Sequence, residues 1–225
     1  MSIKALLKRN VKLRNFAAFL YSFARNRKVI RGVDNHIDRA NAFMSGCKIR
    51  IYGSHNRLIF NSNGVNFLKN ITVSIHGNNN VIILGSNVST QNLSFCIEDD
   101  NNRIELGDNF QGGGLSELAA IEGTEIIFGK SCMLSAHITV RTGDSHSILN
   151  ATTRERINDS QSVIFGDHVW IGNTSLIFKG AKVASNSIIA GGSVVTGKSF
   201  PPNCIIGGNP AKVIKENVDW IVERI

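Results

Sequence analysis

The residue best suited to acid–base chemistry in this chain of 225 residues is His146. It lies in the segment Arg141–Ile148, RTGDSHSI, where a regular apolar pattern ends and a polar segment, 147–161, begins. The ordinary pKa of an imidazole is about 6.5, so it can take a proton from a hydroxyl at neutral pH. Because long excursions from a regular scaffold are usually functional, we expect His146 to be catalytic. Asp144 could orient its ring, although we expect solvation at a turn to be its role.

The spacing of the other histidines does not predict a metal-binding site that includes His146. Zinc sites need three or four ligands, and histidine ligands usually occur at short spacings. The five remaining histidines are spread over the chain, at His36, His55, His76, His137 and His168. We therefore expect no metal site.

Trp170 is the second candidate, and it is one of only two tryptophans. In the six-residue repeat described below, one large and one small position of each repeat face inward. Trp170 occupies neither position, so its ring should point outward. A bulky aromatic side chain on the outside needs a partner. It either packs against another subunit or forms a wall of an active-site cleft, where its indole N–H can donate a hydrogen bond.

A repeat with a strict period of six residues determines where His146 and Trp170 lie. From Phe165 onward a large apolar residue recurs at every sixth position, and a small residue follows each one by four positions. The large residues are Phe165, Ile171, Ile177, Val183, Ile189 and Val195, and the small ones are Val169, Ser175, Ala181, Ser187, Ser193 and Ser199. Neither the helical period of 3.6 nor the strand period of 2 produces this pattern. A period of six predicts an all-β solenoid, a parallel β-helix of hexapeptide repeats with the large residues at the corners of a triangular coil.

The first half of the chain shows the same pattern in a looser form. Five segments read polar-x-apolar-x-apolar, and their ends lie 24, 22, 22 and 37 positions apart: Asn56–Phe60, Asn80–Leu84, Asn102–Leu106, Thr124–Phe128 and Gln161–Phe165. A coil of 22 residues exceeds three hexapeptides by four, so we expect one enlarged corner in each early coil. The asparagine-rich turns tolerate left-handed backbone and should align as side-chain ladders.

The pattern predicts three regions. We expect a basic helical arm over residues 1–34, the β-helix over 35–204 with an extruded loop at 147–161, and a tail over 205–225 that ends in a short helix. Proline cannot donate to a strand ladder, so Pro201 and Pro202 should end the solenoid.

The net charge of +8 resides in the arm. Residues 1–31 carry nine basic side chains and no acidic one, which leaves 16 basic and 17 acidic side chains elsewhere. This distribution argues against a nucleic-acid surface. Apolar residues among these cations predict one or two amphipathic helices, which either pack against the solenoid or a neighbouring subunit, or contact an anionic membrane.

The cysteines and the hydropathy pattern favour a cytoplasmic protein. Cys47, Cys96, Cys132 and Cys204 are widely spaced, as expected of buried free thiols in a reducing compartment. No run of 18 apolar residues and no signal peptide is evident. We therefore expect a cytoplasmic location, at most peripheral at the inner face of the membrane.

Three segments in the second half resemble a known family: GDHVWIG at 166–172, IAGGSVVT at 189–196 and IGGNPAKV at 206–213. They resemble the hexapeptide-repeat acetyltransferases, whose fold is a left-handed β-helix, and the resemblance covers residues 125–215. The spacing of His146 and Trp170 is most similar to that of sugar O-acetyltransferases acting on bacterial capsule and lipopolysaccharide. Those that modify sialic-acid capsules are the nearest.

The resemblance implies acetyl-CoA as the donor, a carbohydrate acceptor, and a homotrimer with active sites in clefts between subunits. It adds capsule-assembly proteins to the partners that the basic N-terminal arm could contact. It implies that His146 is the catalytic base and Trp170 a functional cleft residue. The base would remove the proton from a sugar hydroxyl, which then attacks the thioester without an acyl-enzyme. A backbone N–H or the Trp170 indole would stabilise the oxyanion.

The same resemblance places the donor substrate on a second set of residues. Pantetheine would lie beside Gly172 and Ala190, where small side chains let its amides pair with the backbone. Further contacts to CoA would come from the segment Thr196, Gly197 and Lys198 and from Lys212, with the two lysines as candidates for the phosphates.

Two other functions fit the same scaffold. One is N-acetylation of an amino sugar, or acetylation of a small antibiotic or of serine. The other is a non-catalytic solenoid that serves as an assembly or ligand-binding platform.

Overall fold

The computed structural model describes residues 10–23, 25–39, 42–61 and 63–225. Within these residues it contains one α-helix, α1 (Val11–Phe23), and 23 β-strands. The strands are β1 (Arg27–Arg31), β2 (His36–Ile37), β3 (Ala42–Ser45), β4 (Lys48–Tyr52), β5 (Arg57–Phe60), β6 (Asn66–Lys69), β7 (Thr72–His76), β8 (Val81–Leu84), β9 (Ser89–Glu98), β10 (Arg103–Leu106), β11 (Gln111–Ile121), β12 (Glu125–Phe128), β13 (Met133–Leu134), β14 (Thr139–Arg141), β15 (Val163–Phe165), β16 (Trp170–Ile171), β17 (Leu176–Ile177), β18 (Lys182–Val183), β19 (Ile188–Ile189), β20 (Val194–Val195), β21 (Ser199–Phe200), β22 (Cys204–Gly208) and β23 (Ala211–Glu216).

The strands stack into three faces of a solenoid with eight coils. The first face contains β1, β4, β7, β14, β17 and β20 together with the second halves of β9 and β11. The second face contains β2, β5, β8, β10, β12, β15, β18 and β21. The third face contains β3, β6, β13, β16, β19 and β22 together with the first halves of β9 and β11. All pairings between coils are parallel in the described residues, which confirms the predicted all-β parallel solenoid.

The residues that recur with the period of six form the core of the later coils. All six predicted large residues are buried, and five of the six predicted small residues are buried with them. The prediction is wrong for Ser199, which is exposed. Val183 pairs with Phe200, so the last coil is one residue shorter than the 18 of the preceding coil, and Phe200 takes the inward position.

The extra residues of the early coils lie at the corner between the first and second faces. Leu118 on the first face precedes its second-face counterpart Phe128 by ten positions. In the later coils the equivalent pair, Ile177 and Val183, is separated by only six. The predicted enlarged corner is therefore confirmed, and the segment 147–161 extends from this same corner.

An asparagine ladder lines the enlarged corner, as the sequence predicted. The side-chain oxygens of Asn35, Asn56, Asn80 and Asn102 each accept a hydrogen bond from the backbone N–H of the next member, at 2.8–3.0 Å, and Thr124 ends the series. Positive φ angles at the adjacent turn residues let the chain reverse direction sharply. Each amide thus satisfies backbone groups that the turn would otherwise leave buried and unpaired.

Replacing Asn80 by leucine should destabilise the fold by about 3 kcal/mol, because several buried polar groups lose their partner. Asn80 is fully buried, its oxygen accepts two bonds from Asn102, and its Nδ2 donates to the Asp99 carbonyl. Urea denaturation would measure the change. Asn173→Ala, at an exposed asparagine outside the ladder, is the matched control. Equal stability of the two variants would contradict a structural role for the ladder.

The two ends of the solenoid differ from the predicted boundaries. Strand β1 already pairs with β4, so the ladder begins inside the segment assigned to the arm over 1–34. Residues 1–9 and 24 of that arm lie outside the described residues. The predicted helix at the end of the tail is wrong: β22 and β23 form an antiparallel pair, and residues 217–225 contain no helix. No helix among the described residues has the length and apolar character needed to cross a membrane.

Candidate active site

His146 lies just after β14, at the corner between the first and second faces. There the chain leaves the solenoid and forms a hairpin, in which Leu149 and Arg156 form an antiparallel bridge. The Ile157 N–H donates to the Ile148 carbonyl at 2.9 Å. His146 is exposed at the base of this hairpin, and no side chain of the described residues is hydrogen-bonded to its ring. The imidazole is therefore accessible to a substrate.

Asn158 fixes the backbone around His146. Its side chain is buried, with 7% of the residue exposed. Nδ2 donates to the His146 carbonyl and to Asp144 Oδ2, both at 2.8 Å, and Oδ1 accepts the Ile148 N–H at 2.8 Å. One amide thus joins both strands at the hairpin base. The position of the imidazole depends on this residue, which sequence reasoning did not single out.

Asp144 does not contact the His146 ring and is not merely solvated. Its carboxylate accepts a hydrogen bond from Lys179 Nζ at 2.6 Å, and Lys179 also donates to the Asn158 carbonyl at 2.8 Å. The Lys179 ammonium first, and then the Asn158 amide, lower the pKa of Asp144 below its ordinary value. This ion pair ties the hairpin base to the next coil.

The lowered pKa of Asp144 predicts how the hairpin base responds to pH. A carboxyl group whose pKa is lower in the folded state stabilises that state above its unfolded pKa, near 3.9, and loses the contribution as pH falls through its folded pKa. We therefore expect the hairpin to stay ordered through mildly acidic pH and to loosen only below about pH 4. NMR signals of the Ile148 and Ile157 amides would report this. Asp144→Asn should weaken that acid transition at Ile148, and an unchanged transition there would contradict the assignment; the part that remains would come from Glu122, whose pKa is also lowered.

A second polar cluster holds the outer strand of the hairpin. Arg156 Nη1 lies 2.8 Å from Glu122 Oε1, and Ser160 Oγ donates to Glu122 Oε2 at 2.7 Å. The Arg156 and Ser160 hydrogen bonds lower the pKa of Glu122. The hairpin, which is not part of the repeat, is therefore attached to the solenoid by charged side chains on both of its strands.

Trp170 lies on the third face, in β16, and is half-buried. Its indole N–H donates to Ser135 Oγ at 3.1 Å. Its ring lies 5.9 Å from that of Trp220, which stacks on His168 at 4.1 Å. The N–H predicted as an oxyanion donor is thus already engaged. Trp220 of the tail therefore packs beside Trp170. Nothing in the sequence indicated this role, except that Trp220 is the second of the two tryptophans.

Gly172 and Ala190 lie next to each other on the third face. A Cβ on Gly172 would lie 3.0 Å from the Ala190 carbonyl carbon and 2.5 Å from the Gly191 nitrogen, so a larger residue does not fit there. Their N–H groups already donate to the carbonyls of Ile189 and Ile206, at 2.7 and 2.8 Å. Any pairing with pantetheine would therefore use backbone carbonyls, which can accept a second hydrogen bond.

The remaining predicted residues lie at two separate places. Thr196, Gly197 and Lys198 form the shortened corner between β20 and β21, on the same edge of the solenoid as His146. Lys212 lies on β23, opposite Gly207 of the third face. Both lysines are exposed, and neither forms an ion pair within the described part of the chain. No group of three or more His, Cys, Asp or Glu residues in that part is arranged to hold a metal.

The structure thus divides the predicted site into two groups. His146 and the segment 196–198 lie at the corner between the first and second faces, whereas Trp170, Gly172 and Ala190 lie on the third face. A single chain does not bring the two groups onto one surface.

Comparison with known proteins identifies relatives over nearly the whole chain. No protein-family model matches it. The chain is 31% identical over 191 residues to a polysialic acid O-acetyltransferase of Neisseria meningitidis, covering 84% of this chain and 87% of that protein. The crystal structure of the polysialic acid O-acetyltransferase OatWY has a TM-score of 0.80 at 27% identity, covering 88% of this chain and 92% of that one.

A second solved structure agrees in fold. The polySia-specific acetyltransferase NeuO has a TM-score of 0.70 at 24% identity, over 88% of this chain and 83% of that one. The fold, the sequence identity and the exposed histidine at the base of an extruded hairpin are consistent with one another. The chain therefore belongs to the polysialic acid O-acetyltransferases, within the hexapeptide-repeat acetyltransferases.

Proposed function

We propose that this protein transfers the acetyl group of acetyl-CoA to a hydroxyl of a sialic-acid-containing bacterial surface polysaccharide, with His146 as the general base. Family membership supports the reaction class. The observation that carries the proposal is the way His146 is held: buried Asn158 clamps its backbone while its ring stays exposed. A fixed, accessible imidazole is what a general base requires.

The reaction needs one proton carrier. His146 takes the proton of the sugar hydroxyl as the oxygen attacks the thioester carbonyl, and the new C–O bond gives a tetrahedral intermediate. When the C–S bond breaks, the imidazolium returns the proton to the CoA sulfur. No acyl-enzyme forms, because a thioester is already activated. With the Trp170 indole engaged by Ser135, a backbone N–H is the better oxyanion donor.

A homotrimer would complete the site. The two groups of predicted residues lie on different faces of one chain, so they can meet only where two copies adjoin. The hairpin carries the apolar side chains Ile148, Leu149 and Ile157, of which Ile148 and Ile157 are 53% and 62% exposed. Exposed apolar clusters of this kind mark protein contacts. In the trimer the hairpin of one subunit would cover the third face of the next. The solenoid itself would be left-handed.

Acetyl-CoA would lie along the small residues of the third face, beside Gly172 and Ala190. Exposed Lys198 and Lys212 would contact its phosphates from adjoining subunits. All of this chemistry takes place where acetyl-CoA is available, which supports a cytoplasmic location.

Release of free CoA thiol from acetyl-CoA tests the proposed function. We expect release to depend on an oligosialic acid acceptor and the product to gain the mass of one acetyl group. Base treatment, which removes O-acetyl but not N-acetyl groups, distinguishes the N-acetylation alternative. The absence of release with sialic-acid, lipopolysaccharide and amino-sugar acceptors, together with no thermal shift on adding CoA, would favour the non-catalytic platform.

Trp170→Ala should reduce turnover without changing the oligomeric state, if the ring forms a wall of the cleft. The loss should be about tenfold, the effect of removing a contact worth about 1.4 kcal/mol. Turnover measurements and light scattering would separate the two roles. If the variant is monomeric, Trp170 is instead a packing residue of the subunit interface.

A further inference from the structure

The C-terminal tail lies against the coil that carries Trp170. After β23 the chain runs back along the corner between the second and third faces, where the Val218 N–H donates to the Asn203 carbonyl at 3.0 Å. Two residues later the Trp220 indole N–H donates to the His168 carbonyl at 2.9 Å. His168 lies in the corner before β16, two positions before Trp170. The tail therefore ends beside a residue that the sequence predicted to belong to the site.

Trp220 is the one buried residue of the segment 217–225. It is 7% exposed, whereas residues 221–225 are all exposed. Its ring stacks on the imidazole of His168, with 4.1 Å between the ring centroids and 16° between the planes. The stacking and the indole hydrogen bond together fix the orientation of this ring. Trp220 thus offers a fixed surface to its neighbours.

Trp170 packs against Trp220 on one side and is hydrogen-bonded to Ser135 on the other. The two indole centroids lie 5.9 Å apart, within the range of favourable aromatic pairs. Ser135 Oγ accepts the Trp170 indole N–H at 3.1 Å. Because Met133 is the register partner of Trp170, Ser135 lies beside Gly172, two positions further along the strand. Trp170 is therefore held from both directions along its strand.

The hydrogen bond to Ser135 alone would hold the Trp170 ring weakly. Trp170 and Ser135 are both only half-buried, so water can compete for this bond and reduce its net contribution. A side chain with open space beside it populates several staggered rotamers. Trp220 fills the space on the His168 side of the ring. The tail therefore restricts the Trp170 ring to the orientation in which it reaches Ser135.

We propose that Trp220 is a positioning residue, which holds the Trp170 ring in the orientation that acetyl transfer requires. The tail then contributes to turnover and does not only cover the end of the solenoid. The inference rests on the proposed function, in which the Trp170 ring forms a wall of the cleft. Trp220 has no proposed contact with either substrate, so its whole effect on turnover should pass through Trp170.

A double-mutant cycle on the full-length protein tests this dependence. Trp220→Ala should lower kcat about five- to tenfold, close to the loss expected for Trp170→Ala, because a displaced ring no longer supports the reaction. In the Trp170→Ala background the same change should cause no further loss, since residues that act as a unit are not additive. Trp220→Phe retains a ring and should keep kcat within about twofold of the unaltered protein. Ile221→Ala, at an exposed residue of the same tail, is the matched control and should leave kcat unchanged.

The motion of the Trp170 ring gives a second readout, which does not depend on activity. The chain has two tryptophans, so every Trp220 variant leaves Trp170 as the single indole fluorophore. Time-resolved fluorescence anisotropy should show faster local rotation of Trp170 in Trp220→Ala than in Trp220→Phe. Trp220 is not part of the hydrophobic core of the solenoid, so both variants should fold.

The contrary outcomes separate the alternatives. An equal loss of kcat from Trp220→Ala in both backgrounds, or equal ring motion in the two Trp220 variants, would show that the tail does not act through Trp170. An unchanged kcat with a lower melting temperature would make Trp220 an anchor of the tail only, and a change of oligomeric state would assign the tail to a subunit contact. No acceptor-dependent turnover by the unaltered protein would reject the proposed function, whereas the anisotropy would still decide whether Trp220 fixes the ring.

Discussion

Replacing His146 by alanine is expected to lower turnover at least ~100-fold, the usual scale for losing a general base. The ring is exposed and makes no hydrogen bond to another described side chain, so its removal should leave the melting temperature and the oligomeric state unchanged. Steady-state kinetics with acetyl-CoA and an oligosialic acid acceptor would measure the loss. The loss of activity should appear as a lower kcat, while KM for acetyl-CoA should stay nearly constant.

The control for this variant is His36→Ala, which removes another exposed imidazole from the second face. It should retain full activity. Near-wild-type acetyl transfer by the His146 variant would remove the catalytic assignment, and a similar loss in both variants would indicate a general effect on the fold.

Asn158→Ala is expected to lower kcat by about 10- to 100-fold, although Asn158 is buried and has no proposed contact with the substrate. A displacement of about 1 Å at a reacting group can cost 100-fold in rate, and this amide fixes both the His146 carbonyl and the Ile148 N–H. Asn158 is therefore a positioning residue. Its loss should reduce kcat, leave KM for acetyl-CoA unchanged, and increase hydrogen exchange at the hairpin base.

Asn150→Ala is the matched control, because Asn150 makes comparable bonds at the far end of the hairpin. Its Oδ1 accepts the N–H groups of Thr152 and Thr153 at 2.9 and 3.0 Å. It should loosen the tip and leave kcat within about twofold, since surface changes away from the site usually have small effects. Equal losses of kcat in the two variants would show that the hairpin as a whole, and not its base, controls the reaction.

The regular part of this fold could be predicted because each coil repeats the same packing problem. Phe165 and the five large residues after it must all be buried, so their period gives the coil length directly. Ser199 was mispredicted because one residue is missing from the corner before it, and a single deletion shifts the period without altering the composition.

The arrangement of the candidate site could be predicted only in part. His146 was singled out because it precedes a break in the period, and its catalytic role stays a prediction. Asn158 and Lys179 were not, because their role depends on how the hairpin folds back, and no periodicity records that path. The helix predicted at the end of the tail was wrong for a similar reason: residues 217–225 are held by contacts with the last coils, because the Val218 N–H donates to the Asn203 carbonyl and the Trp220 indole N–H donates to the His168 carbonyl.

The ladder on the second face keeps its register while the corner beside it changes length freely. Coils with repeats of 24, 22, 37, 18 and 17 residues present the same strand alignment. The hairpin that leaves this corner can therefore change in length and sequence beyond the Leu149–Arg156 bridge, while His146, Asn158 and the solenoid beside them stay unchanged. Transplanting hairpins of other lengths there offers a route to altered acceptor choice, by engineering or by evolution, on an unchanged frame.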